Sequence, residues 1–243
     1  MSRPTLALIC SLAVLPGFAN AIDVTIVNHS FEQPVIGAGT FSTNSPPTGW
    51  VGFGSLNFSN RTIGVLNPST TTLYPGGAPD GSNVGVVFLM DNAGNQSFFA
   101  NSPAGLEQTL SATLQPSSQY ILTVNVGNIA NDPTLPHNQF QFAGFPGYRI
   151  ELLAGGSVIA TDNNSLLPGE GVFFTSILQF TSSSNVTPGQ ALGIRLINLN
   201  SSVGLEVNFD NVRLAFVPVP EANAVILCAM AALPALAFRR RGR

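Results

Sequence analysis

The feature that most constrains the fold is a two-residue alternation of apolar and polar side chains, which recurs along residues 22–217. In the segment QYILTVNVGN, residues 119–128, the apolar side chains of Tyr120, Leu122, Val124 and Val126 share one face. Such alternation is typical of a β-strand with one buried face. The same reasoning predicts strands at residues 23–27, 50–58, 83–90, 105–110, 148–153, 171–180, 191–198 and 204–217.

Turns rich in glycine and proline separate these segments, and no segment between residues 22 and 217 shows the 3.6-residue period of an amphipathic helix. Nine or ten short strands of this kind predict an all-β domain, an antiparallel two-sheet sandwich of the jelly-roll type with little helix. In the last strand the apolar set changes parity between Phe209 and Val212. That change predicts a β-bulge at Asp210 and Asn211.

The charge of the domain limits its partners. Residues 22–217 contain eleven acidic side chains, four arginines and no lysine. A surface with this excess of negative charge disfavours nucleic acid as a partner. It is better suited to a divalent cation or a neutral polymer.

The first 21 residues have the three parts of a secretory signal peptide. Arg3 precedes an apolar stretch over residues 6–15, and the small residues Ala19 and Ala21 mark the predicted cleavage site. We therefore expect residues 1–21 to direct export and to be removed. Both cysteines of the sequence, Cys10 and Cys228, lie in terminal segments, so we expect no disulfide in the exported domain.

Residues 218–243 form a separate tail, in which residues 222–238 carry no charge. As a helix with a rise of about 1.5 Å per residue this run would measure about 25 Å, which predicts a short apolar transmembrane helix. Arginines follow it at Arg239, Arg240, Arg241 and Arg243.

This tail resembles the PEP-CTERM sorting signals of Gram-negative bacteria. Pro220 and Glu221 match the Pro-Glu pair, and the terminal arginines match the usual cluster, although Ala222 stands where a second proline is common. The resemblance implies transient anchoring in the inner membrane and processing by an exosortase-type enzyme. The final location would then be the cell surface or the extracellular matrix.

Three short motifs resemble the galactose-binding-like jelly rolls, which include several families of carbohydrate-binding module. They are VNHSFEQP at residues 27–34, TGW at 48–50 and VNFDNVRL at 207–214. The resemblance implies one structural calcium ion shared by the first and last strands, with Glu32 and Asp210 as ligands and Asn28 as a weaker third. The alternative is that these are ordinary surface acids or turn-capping groups.

The sequence offers few groups for catalysis. His29 and His137 are the two histidines, neither a G-x-S-x-G nor an H-E-x-x-H motif occurs, and no carboxyl stands out as embedded in an apolar stretch. We therefore expect a non-enzymatic protein, and a glycan-active hydrolase is only the third hypothesis.

A binding role has more support. The long connection over residues 128–147 carries Phe140, Phe142 and Phe145 among amide side chains, and Trp50 is the only tryptophan. These aromatic rings either stack on a sugar or pack inward as core residues. The leading hypothesis is a surface-sorted protein that binds extracellular polysaccharide weakly. The alternative is a structural or adhesive surface protein without a sugar site.

Overall fold

The computed structural model describes residues 20–57, 59–90, 102–202 and 204–219, in which the regular secondary structure is almost entirely β-strand. Residues Ala21–Pro218 form one compact unit. The strands are β1 (Ile22–Val24), β2 (Phe41–Ser42), β3 (Val51–Gly54), β4 (Arg61–Leu66), β5 (Val84–Leu89), β6 (Ala104–Thr113), β7 (Ser118–Asn128), β8 (Tyr148–Ala154), β9 (Ser157–Asn163), β10 (Val172–Thr181), β11 (Ala191–Asn198) and β12 (Glu206–Pro218). A short 3-10 helix lies at His137–Gln139.

The strands form two antiparallel sheets. The larger sheet has seven strands in the order β10-β7-β12-β5-β4-β2, with β1 paired to β12. The smaller sheet has five strands in the order β3-β6-β11-β8-β9. The last strand, β12, therefore lies in the middle of the larger sheet, between β7 and β5.

The larger sheet is covered on both faces. Its inner face packs against the smaller sheet in the main core, to which Val87 contributes from β5 and Phe209 from β12. The alternate residues Val86 and Phe88 belong to a second apolar cluster on the outer face. Loop residues such as Leu73, between β4 and β5, complete that cluster.

The all-β prediction with two antiparallel sheets is confirmed. The predicted bulge is confirmed too, because the pairing of β12 with β7 shifts between Asp210 and Arg213, and Asn211 has a positive φ of 50°. The prediction missed β2, β4 and β9. Every residue of β4 is buried, so both faces are covered and the two-residue alternation is absent.

Several predictions concern residues outside the described part of the chain. They are the small residue Ala19, the apolar helix over 222–238, and the sorting motif with Pro220, Glu221, Arg239, Arg240, Arg241 and Arg243. Within the described residues, none of the helices is long and apolar enough to cross a membrane.

Candidate active site

A cavity of about 210 Å³ lies on the outer face of the larger sheet, beneath the loops that carry the second apolar cluster. The register of the strands builds its floor. Thr62 of β4 pairs with Phe88 of β5, and Phe88 pairs with Glu206 of β12, so the three side chains form one row across three adjacent strands. All three line the cavity. A carboxyl group thus stands beside an aromatic ring on a rigid floor.

Aromatic side chains form much of the remaining wall. The ring of Phe88 lies 5.4 Å from that of Phe140, edge to face, and 6.5 Å from that of Phe142. Phe41 and His137 also line the cavity, with their ring centroids 5.8 Å apart. The wall is suited to a flat apolar molecule.

Glu206 is the carboxyl group of this cavity and is only 6% exposed. Burial raises its pKa from an ordinary value of 4.5 to about 7, because the apolar surroundings disfavour the charged form, while a hydrogen bond from Asn208 lowers it in part. That bond runs from Asn208 Nδ2 to Glu206 Oε1 at 2.8 Å. In the described part of the chain Oε2 has no hydrogen-bond partner. Near neutral pH the group can therefore both give and accept a proton.

His137 is the second titratable group of the cavity wall. Its ring is buried, and Nε2 lies 3.0 Å from the carbonyl oxygen of Gly39. A carbonyl oxygen only accepts, so Nε2 carries a proton. The loop over residues 128–147 thus places His137 against Gly39 and out of the solvent.

The four aromatic residues predicted to bind a ligand divide into two pairs. Phe140 and Phe142 line the cavity. Trp50 is buried in the main core, with its ring stacked on Phe31 at 5.3 Å, and Phe145 packs against the same core beside Tyr148. Trp50 and Phe145 therefore lie away from the cavity. They pack inward as core residues, which was the alternative to ligand binding.

The residues predicted to bind calcium lie where the loop over 80–83 meets the first and last strands. Glu32 Oε1 accepts hydrogen bonds from the backbone N–H groups of Ser82 and Asn83, each at 2.8 Å. Asp210 Oδ2 accepts one from the backbone of Asp80 at 2.8 Å.

Asp210 is fully buried, and its pKa is raised to about 8, first by burial and then by the neighbouring carboxylates of Asp80 and Glu32. Asn28 instead closes a local loop, since its side chain bonds the backbone of Gln33 in both directions. Within the described residues, no three Asp, Glu, His or Cys side chains are arranged to hold a metal ion.

The alternation in β12 predicts that its polar residues face the solvent, so the sequence offers no reason to choose Glu206 as a candidate. Both faces of β12 are in fact buried over residues 206–210, where Glu206, Asn208 and Asp210 are all below 9% exposure. The signal that could have found them is the neighbouring run NVGVVFLM at residues 83–90, which is apolar on both faces. A strand of that kind predicts a doubly covered sheet.

Fold and site together define a class: a two-sheet β protein with an aromatic pocket that contains a buried carboxyl group of raised pKa. The family model for HpiC1 cyclase matches residues 22–215, and the chain belongs to this HpiC1-like family.

Solved structures agree with this membership. A cyclase from Fischerella sp. TAU is 36% identical, with a TM-score of 0.72, and the match covers 83% of this chain and 100% of that chain. The Stig cyclase Fisc from Fischerella sp. TAU, in complex with (3Z)-3-(1-methyl-2-pyrrolidinylidene)-3H-indole, has the same identity and coverage with a TM-score of 0.70.

A Fischerella sp. TAU cyclase in complex with 4-(1H-indol-3-yl)butan-2-one is 37% identical, with a TM-score of 0.68, and the match covers 82% of this chain and 99% of that chain. A search of curated proteins finds no significant match.

These findings overturn the functional prediction. A non-enzymatic protein that binds extracellular polysaccharide is the wrong class, because the family is one of cyclases and two solved relatives hold indole compounds. The physical reason for the error is that the sequence did not reveal the burial of Glu206, which raises the pKa of its carboxyl to about 7.

Proposed function

We propose that the protein is an acid-catalysed cyclase of a neutral small molecule that contains an indole ring. The observation that carries the proposal is Glu206, a buried carboxyl with a pKa of about 7 on the floor of an aromatic cavity. The relatives that bind indole compounds supply the substrate class. The described lining contains no arginine, and the sequence has no lysine, which favours an uncharged substrate.

Glu206 would start the reaction by giving its proton to an unsaturated group of the substrate, such as a carbon–carbon double bond. The electron pair of that bond forms the new bond to hydrogen and leaves an electrophilic carbon. The electron-rich indole ring attacks this carbon, and the ring then loses one proton. The Glu206 carboxylate takes that proton back, so the product is an isomer of the substrate and no co-reactant is consumed.

The aromatic wall would assist this chemistry in two ways. The π-faces of Phe88, Phe140 and Phe142 attract the positive charge that develops on the substrate. The same rings exclude water, which would otherwise capture the electrophilic carbon before the indole ring reaches it.

The proposal is tested by the change Glu206→Gln, which keeps the size of the side chain and its carbonyl acceptor but removes the acid. Wild-type protein is incubated with indoles that carry an alkene side chain, and products are followed by mass spectrometry and NMR. We expect an isomer of unchanged mass, formed about 100-fold or more slowly by the variant. Binding of 4-(1H-indol-3-yl)butan-2-one, measured by calorimetry, serves as the control and should persist. Equal rates for the two proteins would contradict the proposal.

We also propose one structural calcium ion, for which Glu32 and Asp210 would be the ligands. The donor chemistry fits, because two carboxylates and nearby backbone carbonyls are the oxygen ligands that calcium prefers. A cation would also offset the cost of burying Asp210 among like charges. The ion would stabilise the fold and take no part in the proton transfer.

For the location of the protein, we propose that the signal peptide directs export and that the tail directs anchoring and sorting. They are supported by the sequence pattern at the two ends of the chain. Mass spectrometry of the mature termini tests them. Termini at Met1 and Arg243 in the protein from its native host would contradict both.

A further inference from the structure

The side chain of Asn208 is fully buried next to Glu206, and its amide nitrogen and amide oxygen both make hydrogen bonds. Its Nδ2 donates to Glu206 Oε1 at 2.8 Å and to the carbonyl oxygen of Gly85 at 3.2 Å. Its Oδ1 accepts from the hydroxyl of Tyr74 at 2.7 Å. Because the carbonyl of Gly85 only accepts, the amide nitrogen must lie on that side, which fixes the orientation of the Asn208 side chain.

Tyr74 reaches Asn208 from the loop that covers the sheet. The ring of Tyr74 is 2% exposed and lies 4.3 Å from the ring of Phe173, measured between centroids. Gly127 of β7 leaves the space that both rings occupy. A Cβ atom at residue 127 would lie 2.7 Å from the Tyr74 hydroxyl and 2.4 Å from Phe173 Cε1. Packing against Phe173 and close approach to residue 127 therefore restrict the position of the hydroxyl.

We propose that Asn208 and Tyr74 are positioning residues, which hold Glu206 Oε1 as a hydrogen-bond acceptor and leave Oε2 to deliver the proton into the cavity. This inference rests on the proposed function of Glu206. It adds which carboxyl oxygen delivers the proton and which residues determine that oxygen. In a carboxylic acid the oxygen that accepts a hydrogen bond from an amide is the carbonyl oxygen, so the proton lies on the other one.

The same contacts tune the acidity of Glu206. A donor at Oε1 favours the carboxylate, so loss of the Asn208 amide raises the pKa of Glu206. Loss of the Tyr74 hydroxyl leaves the buried Oδ1 of Asn208 without its donor. The amide is then held less firmly and its bond to Glu206 Oε1 is weakened, which raises the pKa as well. The described titratable groups that face Glu206 from other elements are Tyr74, from the covering loop, and His137, from the cavity wall.

The experiment is an infrared titration of full-length protein, with the carboxylic C=O band of Glu206 identified by its absence in Glu206→Gln. Asn208→Leu should raise the midpoint by one to two pH units, roughly the value of one hydrogen bond to a charged group. The band should also move to higher frequency, because the carbonyl oxygen has lost its donor. Tyr74→Phe, which keeps the ring and its packing, should raise the midpoint in the same direction.

Gly127→Ala perturbs the same contact from the opposite side, because its methyl group displaces the Tyr74 hydroxyl. Gly76→Ala is the matched control, since nothing lies within 4 Å of a Cβ atom there. The expected result is a raised midpoint for Gly127→Ala and an unchanged one for Gly76→Ala.

The outcomes separate this inference from the proposed function. If wild-type protein has no carboxyl band that titrates near neutral pH, the acid itself is wrongly assigned. If the band is present but keeps its midpoint and frequency in both Tyr74→Phe and Asn208→Leu, the positioning role is wrong, whereas the assignment of Glu206 as the acid is retained. A purely structural role for Tyr74 would lower the melting temperature of Tyr74→Phe without moving the midpoint, which also overturns the inference.

Discussion

The change Glu206→Gln should make the protein more stable in alkaline solution than the wild type. The carboxyl of Glu206 has a pKa of about 7 in the folded protein and an ordinary value of 4.5 when it is exposed. Between these values the folded state binds more protons than the unfolded state, so stability is lost as the pH rises. Above the pKa that Glu206 has in the folded protein, the full free-energy cost of burying the ionised carboxyl applies. Glutamine carries no charge and avoids it.

The size of the effect follows from the two pKa values. A difference from 4.5 to about 7, at about 1.36 kcal/mol per pKa unit, gives about 3 kcal/mol in the free energy of unfolding. We expect Glu206→Gln to be about as stable as the wild type at pH 4, where the carboxyl is protonated in both states. At pH 8.5 the variant should be about 3 kcal/mol more stable.

The assay is urea unfolding of both proteins at the two pH values, followed by circular dichroism. Glu170→Gln is the control, because Glu170 is exposed at the surface and lies outside the cavity that holds Glu206. An effect of Glu206→Gln that is equal at pH 4 and pH 8.5 would refute the reasoning, since the carboxyl would then not be desolvated in the folded protein.

Two further predictions concern stability. A calcium chelator at matched ionic strength should lower the melting temperature of the wild type, and Glu32→Gln should remove that response; an identical melting temperature with and without chelator would count against the ion. Asp162→Ala should cost about 3 kcal/mol of unfolding free energy, because the buried hydroxyls of Tyr148 and Ser176 both donate to Asp162 and would lose their acceptor. Chemical denaturation checks this value, and a loss below about 1 kcal/mol would show that the three groups do not form one network.

Much of the fold was predictable from local pattern. The alternation in β7 is clear because one face of the strand packs in the main core, and in β12 the parity change at Asp210 identified the bulge. The strand β4 was not predictable in this way. Both of its faces are covered, and the loops that cover the outer face are distant in sequence, so the local pattern carries no period.

The candidate site was predictable only in part. For the long connection over residues 128–147 the sequence left open whether its aromatic rings bind a ligand or pack inward, and Phe140 and Phe142 line the cavity. The acid was not recognised, because Glu206 alternates with Val207 as a solvent-facing residue would. Its environment depends on strand order, which places β12 in the centre of the sheet beneath a covering loop. A raised pKa is a property of that tertiary burial and leaves no local signature.

The central claim is that the cavity beside Glu206 is the active site and that the Oε2 atom of Glu206 delivers the proton. A crystal structure of the protein with 4-(1H-indol-3-yl)butan-2-one tests it most directly. We expect the indole ring to lie among Phe88, Phe140 and Phe142, with the ketone oxygen within hydrogen-bonding distance of Glu206 Oε2. Density for the compound elsewhere on the protein, or in the cavity with its ketone turned away from Glu206, would contradict the claim.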